Sequence, residues 1–384
     1  MKQLKIKLAI TLVVGATQAS AGTYAFVDLG TLGGTQSSAY NLNNIGQVVG
    51  QSLTSHDADS HYTLWNSGSL IDRYPDGKGA DINDSGQIAG QTSVFFGPNI
   101  YNWGWRATVW NGSTMTILDS LPGAVHSWAT AINNSGQVVG PTVIESFQGH
   151  YHATLWNGMT PTDLGSGIRT DSYALDINSS GTVSGFVYGD DGVEHASVWA
   201  GGVISELQGL PGGDESYANA INDAGLTVGY SQIANRRVAT LWSGASVSTL
   251  SSVPNSSNVA TDINNYNQIV GYSVISSTYH ATLWNGQIET DLNSFLDANT
   301  VAAGWVLQYA SAINDKGWII GDAYNSISGE THGFMLMPNS PVPEPSTFAL
   351  MIAGFGTAGG ILRANLAANR RRERMRNQGY ILAV

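Results

Sequence analysis

The sequence predicts an all-β protein, and more specifically a seven-bladed β-propeller built from four-stranded blades. Three observations lead to this fold: a composition rich in Gly and aromatic residues, a unit that recurs seven times, and turn signals that divide each unit into four short strands. Of 384 residues, 46 are Gly and 27 are Trp or Tyr, while only 11% are charged. This composition is typical of strands joined by tight turns and excludes helical bundles and coiled coils.

The first segment, residues 1–21, has the pattern of a secretory signal peptide. Three lysines precede a run of nine mostly apolar residues, and Ala19 and Ala21 form a cleavage site of the small-x-small type. A buried N-terminal strand is the alternative interpretation. We therefore expect residues 22–340 to form the exported body.

The body contains one unit that recurs through residues 24–337. Its first block opens with Ala and continues with Ile or Leu, then Asn, then Gly seven residues after the Asn, and its second block ends in Trp in six repeats. The opening alanines are Ala39, Ala80, Ala129, Ala174, Ala218, Ala260 and Ala310. The asparagines are spaced 40 to 50 residues apart, at Asn43, Asn83, Asn133, Asn178, Asn222, Asn264 and Asn314. This period favours a β-propeller, and an open stack of sheets is the alternative.

Turn residues divide each unit into two hairpins. At Asn133–Gly136 and its counterparts, Asn can bond forward to the backbone and Gly supplies a positive φ. Asn-Gly pairs such as Asn157-Gly158 then indicate type I′ turns between the Trp strand and the strand after it. The small Ala of the first strand suggests that this strand lies innermost.

The two ends of the repeat region each lack a strand that the other end possesses. Residues 24–29 have no Trp block before them, and His332–Leu336 has no strand after it. We therefore predict that residues 24–29 pair antiparallel with residues 332–337. This pairing would close the ring and remove two exposed sheet edges.

The last segment, residues 341–384, combines three features. The Pro343-Glu344-Pro345 triplet breaks regular structure, an uncharged run at 348–362 would give a helix about 22 Å long, and an arginine cluster follows. This order resembles the PEP-CTERM sorting signal of Gram-negative bacteria. The resemblance implies that an exosortase recognises the triplet, removes the short transmembrane helix and tail, and passes the body to the cell surface or extracellular matrix. A permanently anchored protein is the alternative.

A second resemblance covers residues 24–337. The Asp28–Gly34 string, the repeated Asn strings and the His-Ala-Thr-Leu-Trp blocks are similar to those of the HAF-repeat extracellular proteins. The resemblance implies export and a repeat fold, but it supplies no reaction.

Several functional classes are excluded or disfavoured by composition. The chain has no Cys, which removes disulfides, thiolate nucleophiles and Cys-ligated zinc. Residues 22–342 hold seven basic residues against 26 acidic ones, which disfavours binding to nucleic acid. No phosphate-binding, dinucleotide, hydrolase or metalloprotease motif stands in a suitable context. We predict no catalytic residue, no cofactor and no metal.

Two sets of side chains are candidates for chemistry. The acidic pairs Asp57 with Asp59, Asp190 with Asp191 and Glu194, and Asp214 with Glu215 lack calcium-loop spacing and are interpreted as solvated loop charges. A catalytic base is needed once, so histidines that recur in the repeats are expected to bond a neighbouring strand. These histidines are His61, His152, His195, His280 and His332.

Binding is expected where the repeat is interrupted. An insertion between Gly90 and Arg106 is dense in aromatic and amide side chains, and rings can stack on the apolar faces of sugars. Tyr101, Trp103 and Trp105 are the candidate glycan contacts, although the insertion could instead cover a blade edge. The predicted function is an exported, non-enzymatic surface or extracellular-matrix protein that binds exopolysaccharide or another cell-surface component. The alternatives are a polysaccharide hydrolase or lyase with its site in the central funnel, and a spacer without a ligand.

Overall fold

The computed structural model describes residues 24–57, 59–74, 77–95, 103–144, 149–165, 171–250, 256–286 and 288–339. The signal-peptide and sorting segments lie outside these residues. The strands in chain order are β1 Tyr24–Asp28, β2 Gly33–Leu42, β3 Val48–Thr54, β4 Ser60–Asn66, β5 Ser69–Tyr74, β6 Gly77–Ile82, β7 Gln87–Phe95, β8 Trp103–Asn111, β9 Thr114–Ile117, β10 Ala124–Ser127, β11 Ala131–Ile132, β12 Gln137–Ile144, β13 His150–Asn157, β14 Thr160–Asp163, β15 Ser172–Ile177, β16 Val183–Tyr188, β17 Glu194–Ala200, β18 Val203–Glu206, β19 Gly213–Ile221, β20 Leu226–Ile233, β21 Arg236–Ser243, β22 Ser246–Thr249, β23 Ser257–Ile263, β24 Gln268–Ile275, β25 Thr278–Asn285, β26 Ile288–Asp291, β27 Trp305–Ile313, β28 Ile319–Asn325 and β29 Thr331–Pro338. The described helices are two 3-10 turns, Ser55–Asp57 and Leu292–Phe295, and the helix α1, Ala298–Ala302.

The strands form antiparallel sheets that follow the repeats. Repeats two to six give the sheets β6-β7-β8-β9, β10-β12-β13-β14 with β11 beside β12, β15-β16-β17-β18, β19-β20-β21-β22 and β23-β24-β25-β26. The first and last repeats share one sheet, β27-β28-β29-β2-β3-β4-β5, in which a single parallel pair, Gln36 with Thr331, joins β29 to β2. The first strand of the third repeat is split into β10 and β11, so 29 strands are described rather than the 28 expected.

The pairing of the two ends is observed. β1 runs antiparallel to β29, with Phe26 opposite Leu336. The Leu29 N–H donates to Gly333 O at 2.9 Å, a bond that Leu118, Leu164, Leu207 and Leu250 each make within their own repeats. β1 therefore takes the place of the missing outer strand of the last repeat.

The Ala strands lie innermost. β2, β6, β11, β15, β19, β23 and β27 contact one another in sequence, and β27 contacts β2 again. In six of these strands the register shifts directly after the position of the repeated Ala, which in the second repeat is occupied by Gly79 rather than Ala80. This bulge explains the repeated Gly of the next strand: a Cβ on Gly229 would overlap the carbonyl oxygen of Tyr217, and the other six glycines face the same obstacle.

The core lies between sheets. Trp156 packs against Ala89, Ala107 and Leu118 of the preceding repeat, and Trp199 and Trp284 repeat this arrangement. Each buried indole removes about 150 to 250 Å² from water and contributes roughly 2 to 3 kcal/mol. The tryptophans are therefore structural.

The expected turn type was wrong at the Asn-Gly pairs. Asn157 pairs with Thr160 as the last residue of β13, so the two turn residues are Gly158 and Met159. Of these two only Gly158 has a positive φ, 62°, which defines a type II′ turn rather than type I′. The two strands pair one residue further than the pattern suggested, and this pairing leaves Gly158 and Met159 as the turn residues.

Candidate functional site

The seven repeated asparagines do more than form turns. In every repeat the Asn Oδ1 accepts the backbone N–H groups two and four residues later, which fixes the turn. Its Nδ2 donates to the backbone oxygen of the corresponding Asn in the next repeat at 3.0 to 3.2 Å. The last of these bonds runs from Asn314 back to Asn43, so the seven bonds form a closed cycle, called the asparagine ring below.

The asparagine ring surrounds a cavity of about 190 Å³. The residue after each ring asparagine also lines it; these residues are Asn44, Asp84, Asn134, Ser179, Asp223, Asn265 and Asp315. Six of their seven backbone N–H groups donate to a side-chain oxygen of the same set in the next repeat. The three carboxylates of this wall, Asp84, Asp223 and Asp315, therefore hold neighbouring repeats together.

Three carboxylates are held between the innermost strands. Asp81, Asp176 and Asp262 each accept the backbone N–H of the next residue and that of an Ile in the following repeat, at 2.7 to 2.8 Å. Burial raises the pKa of Asp81 and Asp262 to about 7 and that of Asp176 to about 6, against the opposing effect of these donors.

These carboxylates alternate with alanines around the ring. The repeats that follow each of them carry Ala at the same position, namely Ala131, Ala220 and Ala312. Because seven is odd, the alternation must fail once, and Asn41 stands at that place in the first repeat. The acids are therefore assigned a structural role between repeats.

The recurring histidines bond a neighbouring strand, as expected. Four of them place Nδ1 2.7 to 3.0 Å from an Asp of the outer strand, and for His332 this partner is Asp28 of β1. The hydrogen bond to Asp28 raises the pKa of His332. His195 instead contacts Asp191 in its own hairpin at 3.1 Å, because Glu206 stands where the other four repeats with this histidine have Asp.

Two of the acidic loop residues have structural partners, whereas Glu194 begins β17 and Asp214 and Glu215 lie on β19 rather than in loops. Asp57 accepts Thr35 N–H at 2.7 Å and Thr35 Oγ1 at 2.8 Å, and these bonds lower its pKa. The hydrogen bond from His195 lowers the pKa of Asp191. Among the described residues, no group of three or more His, Asp or Glu side chains is arranged to hold a metal ion.

The predicted glycan contacts are placed in part. Trp103 and Trp105 do not lie on an irregular loop but on β8, whose hairpin with β7 is extended by the insertion, while Tyr101 lies outside the described residues. Trp103 is 57% and Trp105 37% exposed, and both point to the same face of the hairpin. The Trp103 ring lies 5.2 Å from that of Phe95, which is also exposed.

Sequence reasoning missed a second set of aromatic residues. Six rings from repeats three to five contact one another in succession, with centroids 4.5 to 6.1 Å apart. Arg237 lies 4.9 Å from the last ring, and three tyrosines of repeats six and seven form a further cluster. This aromatic arc comprises Trp128, Tyr151, Tyr173, Phe186, Tyr217, Tyr230, Arg237, Tyr272, Tyr279 and Tyr309.

Comparisons with known proteins agree with export and with the fold. Residues 341–371 match the PEP-CTERM protein-sorting motif, and this match includes Pro343, Glu344 and Pro345. No curated protein matches the chain. Within the described residues no helix is long and apolar enough to cross a bilayer; the run at 348–362 lies outside them.

The structural neighbours resemble this chain in fold alone. Acylaminoacyl peptidase of Pyrococcus horikoshii aligns with a TM-score of 0.50 at 11% identity, over 80% of this chain and 52% of that one. The β-propeller domain of the trilobed protease of Pyrococcus furiosus aligns with a TM-score of 0.42 at 11% identity, over 54% of this chain and 65% of that one. The chain thus spans less than two thirds of the length of these proteins. It is an all-β protein with propeller-like neighbours and a sorting signal that indicates export to the surface or the outside of the cell.

Proposed function

We propose that this chain is an exported, non-enzymatic surface protein that binds extracellular polysaccharide. The sorting motif supports export, and the HAF-repeat resemblance supports an extracellular repeat protein. In this proposal the signal peptide, residues 1–21, is cleaved off after the site formed by Ala19 and Ala21, and residues 22–340 form the exported body. An exosortase then processes the chain at Pro343, Glu344 and Pro345.

The proposal includes a seven-bladed propeller as the architecture of the body. Two features support it: the asparagine ring, which returns from Asn314 to Asn43, and the place of β1 as the outer strand beside β29. Both features join the first repeat to the last.

The observation that carries the binding function is the aromatic face of the extended hairpin. Trp103, Trp105 and Phe95 are large apolar side chains left exposed on a protein that buries the six tryptophans of its repeats. Exposed aromatic clusters mark binding surfaces more often than isolated apolar residues do. Planar rings suit the apolar faces of sugars. A hydrolase or lyase is not proposed, because the carboxylates of the cavity wall are engaged in bonds between repeats.

The test is an array of bacterial exopolysaccharides probed with the protein and with a variant carrying Tyr101→Ala, Trp103→Ala and Trp105→Ala. A matched control replaces the exposed residues Met159 and Val203 with Ala, which removes apolar surface elsewhere. Binding by the native protein and the control, but not by the aromatic variant, is expected. Binding that the aromatic variant retains would remove the hairpin as the contact, and absence of binding to every glycan would favour a spacer.

A further inference from the structure

We infer that the aromatic arc is a polysaccharide-binding face and that its ligand carries free amino groups on its sugars. The inference rests on the proposed function, because it names the face and the ligand class for glycan binding.

The arc is continuous with the hairpin already proposed to contact glycans. The Trp105 N–H donates to His126 Nδ1 at 3.2 Å, and Arg106 donates to Val125 O at 2.8 Å. These bonds fasten the hairpin to β10, and Trp128, the first ring of the arc, follows directly after that strand. The exposed hairpin and the arc therefore lie side by side.

The dimensions of the arc suit a polymer rather than a small molecule. The five steps from Trp128 to Tyr230 cross three repeats, and each step is comparable to the width of a sugar ring. Phe186 and Tyr230 are buried and support the half-exposed rings of Tyr173 and Tyr217, with which they make contacts of 4.7 and 4.8 Å. A ligand that touches the partly exposed rings from Trp128 to Tyr217 must be extended.

The hydroxyl groups of the arc suit sugar hydroxyls. Burial raises the pKa of Tyr173 and Tyr217, and it raises that of Tyr230 and Tyr309 to about 12. These phenols therefore remain neutral at physiological pH. A neutral phenol both donates and accepts hydrogen bonds, as polyhydroxyl ligands require.

The charge around the arc selects among polysaccharides. Asp171, Glu194 and Glu215 all lie near Tyr188, whose pKa rises to about 12 mainly through its hydrogen bond to Glu194. Glu194 and Glu215 also lie near Tyr217 in the middle of the arc. The cation of the arc, Arg237, lies over the Tyr230 ring and bonds Tyr272.

The acids therefore outnumber the cation along the central part of the arc. The body adds an excess of 19 negative charges over residues 22–342. Such a surface repels carboxylated or sulfated polymers and attracts ammonium groups. A polymer of amino sugars offers apolar sugar faces to the aromatic rings and ammonium groups to the carboxylates.

Three oligosaccharides that differ mainly in charge test the inference on the purified full chain. Chitosan oligomers carry free amino groups, chitin oligomers have the same backbone with the amines acetylated, and alginate oligomers carry carboxylates. Calorimetry at low salt and mildly acidic pH, where the amines of chitosan are protonated and ordinary Glu side chains remain ionised, should give at least tenfold tighter binding of chitosan than of chitin. The difference should shrink at high salt because the ions screen exposed charges.

Two variants separate the charges from the rings. Glu194→Gln with Glu215→Gln should abolish the preference for chitosan and leave chitin binding within about twofold, whereas Glu206→Gln with Asp119→Asn removes the same charge elsewhere and should leave the preference intact. Tyr173→Leu with Tyr217→Leu should weaken binding to both oligomers. If the ring variant fails to fold, the acid variant still tests the inference, because replacing Glu with Gln does not change the packing volume.

Each contrary outcome would overturn a different claim. Equal affinity for chitosan and chitin, or tighter binding of alginate, overturns the amino sugar assignment. Binding that survives Tyr173→Leu with Tyr217→Leu but is lost with Trp103→Ala and Trp105→Ala overturns the arc and leaves the proposed function standing. Absence of binding to every glycan, these three included, overturns the proposed function itself.

Discussion

The asparagine ring gives the sharpest stability prediction. Replacing Asn178 with Ala removes its Oδ1, which accepts Ser180 N–H at 3.1 Å, Ser180 Oγ at 2.8 Å and Thr182 N–H at 2.9 Å. It also removes Nδ2, which donates to Asn222 O at 3.1 Å in the next repeat. The side chain is 5% exposed, so water cannot fully replace these partners.

The expected cost follows from these four bonds. Each is worth about 0.5 to 1.5 kcal/mol net, and buried groups left without a partner cost more. We therefore expect Asn178→Ala to lower the free energy of unfolding by about 3 to 5 kcal/mol. Urea denaturation followed by tryptophan fluorescence measures this as a lower midpoint.

The matched control is Asn134→Ala. Asn134 follows a ring asparagine, is exposed, and bonds only Asp84 across the repeat boundary. Its loss should cost less than about 1 kcal/mol because the interaction is exposed. Equal midpoints for the two variants would refute the argument that the asparagine ring stabilises the fold.

Three further predictions concern the backbone, the ends and pH. Gly229→Ala should lower the unfolding midpoint, at a cost of about 2 kcal/mol or more from overpacking, while Gly209→Ala, where a Cβ meets nothing within 4 Å, should not. Asp28→Asn should lower the pKa of His332 measured by NMR, because the hydrogen bond to Asp28 raises it. The variant should lose most stability below the ordinary histidine pKa, and the loss should shrink as pH rises through the raised pKa of the folded state. Burial raises the pKa of Asp262 to about 7, so between 3.8 and about 7 the folded state holds a proton that the unfolded state lacks, and stability should fall as pH rises through this range. Asp262→Ala should weaken that dependence, measured by urea denaturation at a series of pH values, without removing it, because burial also raises the pKa of Asp81 and Asp176.

Each of these predictions has a clear contrary result. Similar midpoints for the two glycine variants would contradict the bulge argument. A histidine pKa that Asp28→Asn leaves unchanged would contradict the contact between the chain ends. An Asp262→Ala variant with the native pH dependence would place the titration elsewhere.

Local patterns were sufficient to predict the repeats and the pairing of the ends. Each hairpin is fixed by residues close in sequence, and the missing strand at one end matched the surplus at the other, so β1 beside β29 followed from counting. The partners of the histidines could also have been predicted, because Asp lies eleven residues after His61, His152 and His280.

Contacts between repeats could not be predicted from the sequence because no local pattern encodes them. The Asn donor to the next repeat spans 40 to 50 residues and depends on how the sheets are arranged around the cavity. The aromatic arc does carry a periodic signal: four of its rings directly precede the repeated Ala and three directly follow the repeated Gly, namely Trp128, Tyr173, Tyr217 and Tyr309, and Phe186, Tyr230 and Tyr272. What the sequence does not show is that these different strand positions meet between repeats. The role of the repeated Gly was likewise not predicted, because it depends on the bulge in the neighbouring strand.

The pairing of the chain ends can be tested directly with cysteines, since the protein has none of its own. Ala25 and Met337 are opposite one another in β1 and β29, within the Cα separation that a disulfide tolerates. Mild oxidation of a variant with Ala25→Cys and Met337→Cys should give a monomeric species of increased electrophoretic mobility in non-reducing denaturing gels, while Ala25→Cys with Met159→Cys should not. Absence of that disulfide under conditions that oxidise free thiols would contradict the closure on which the account depends.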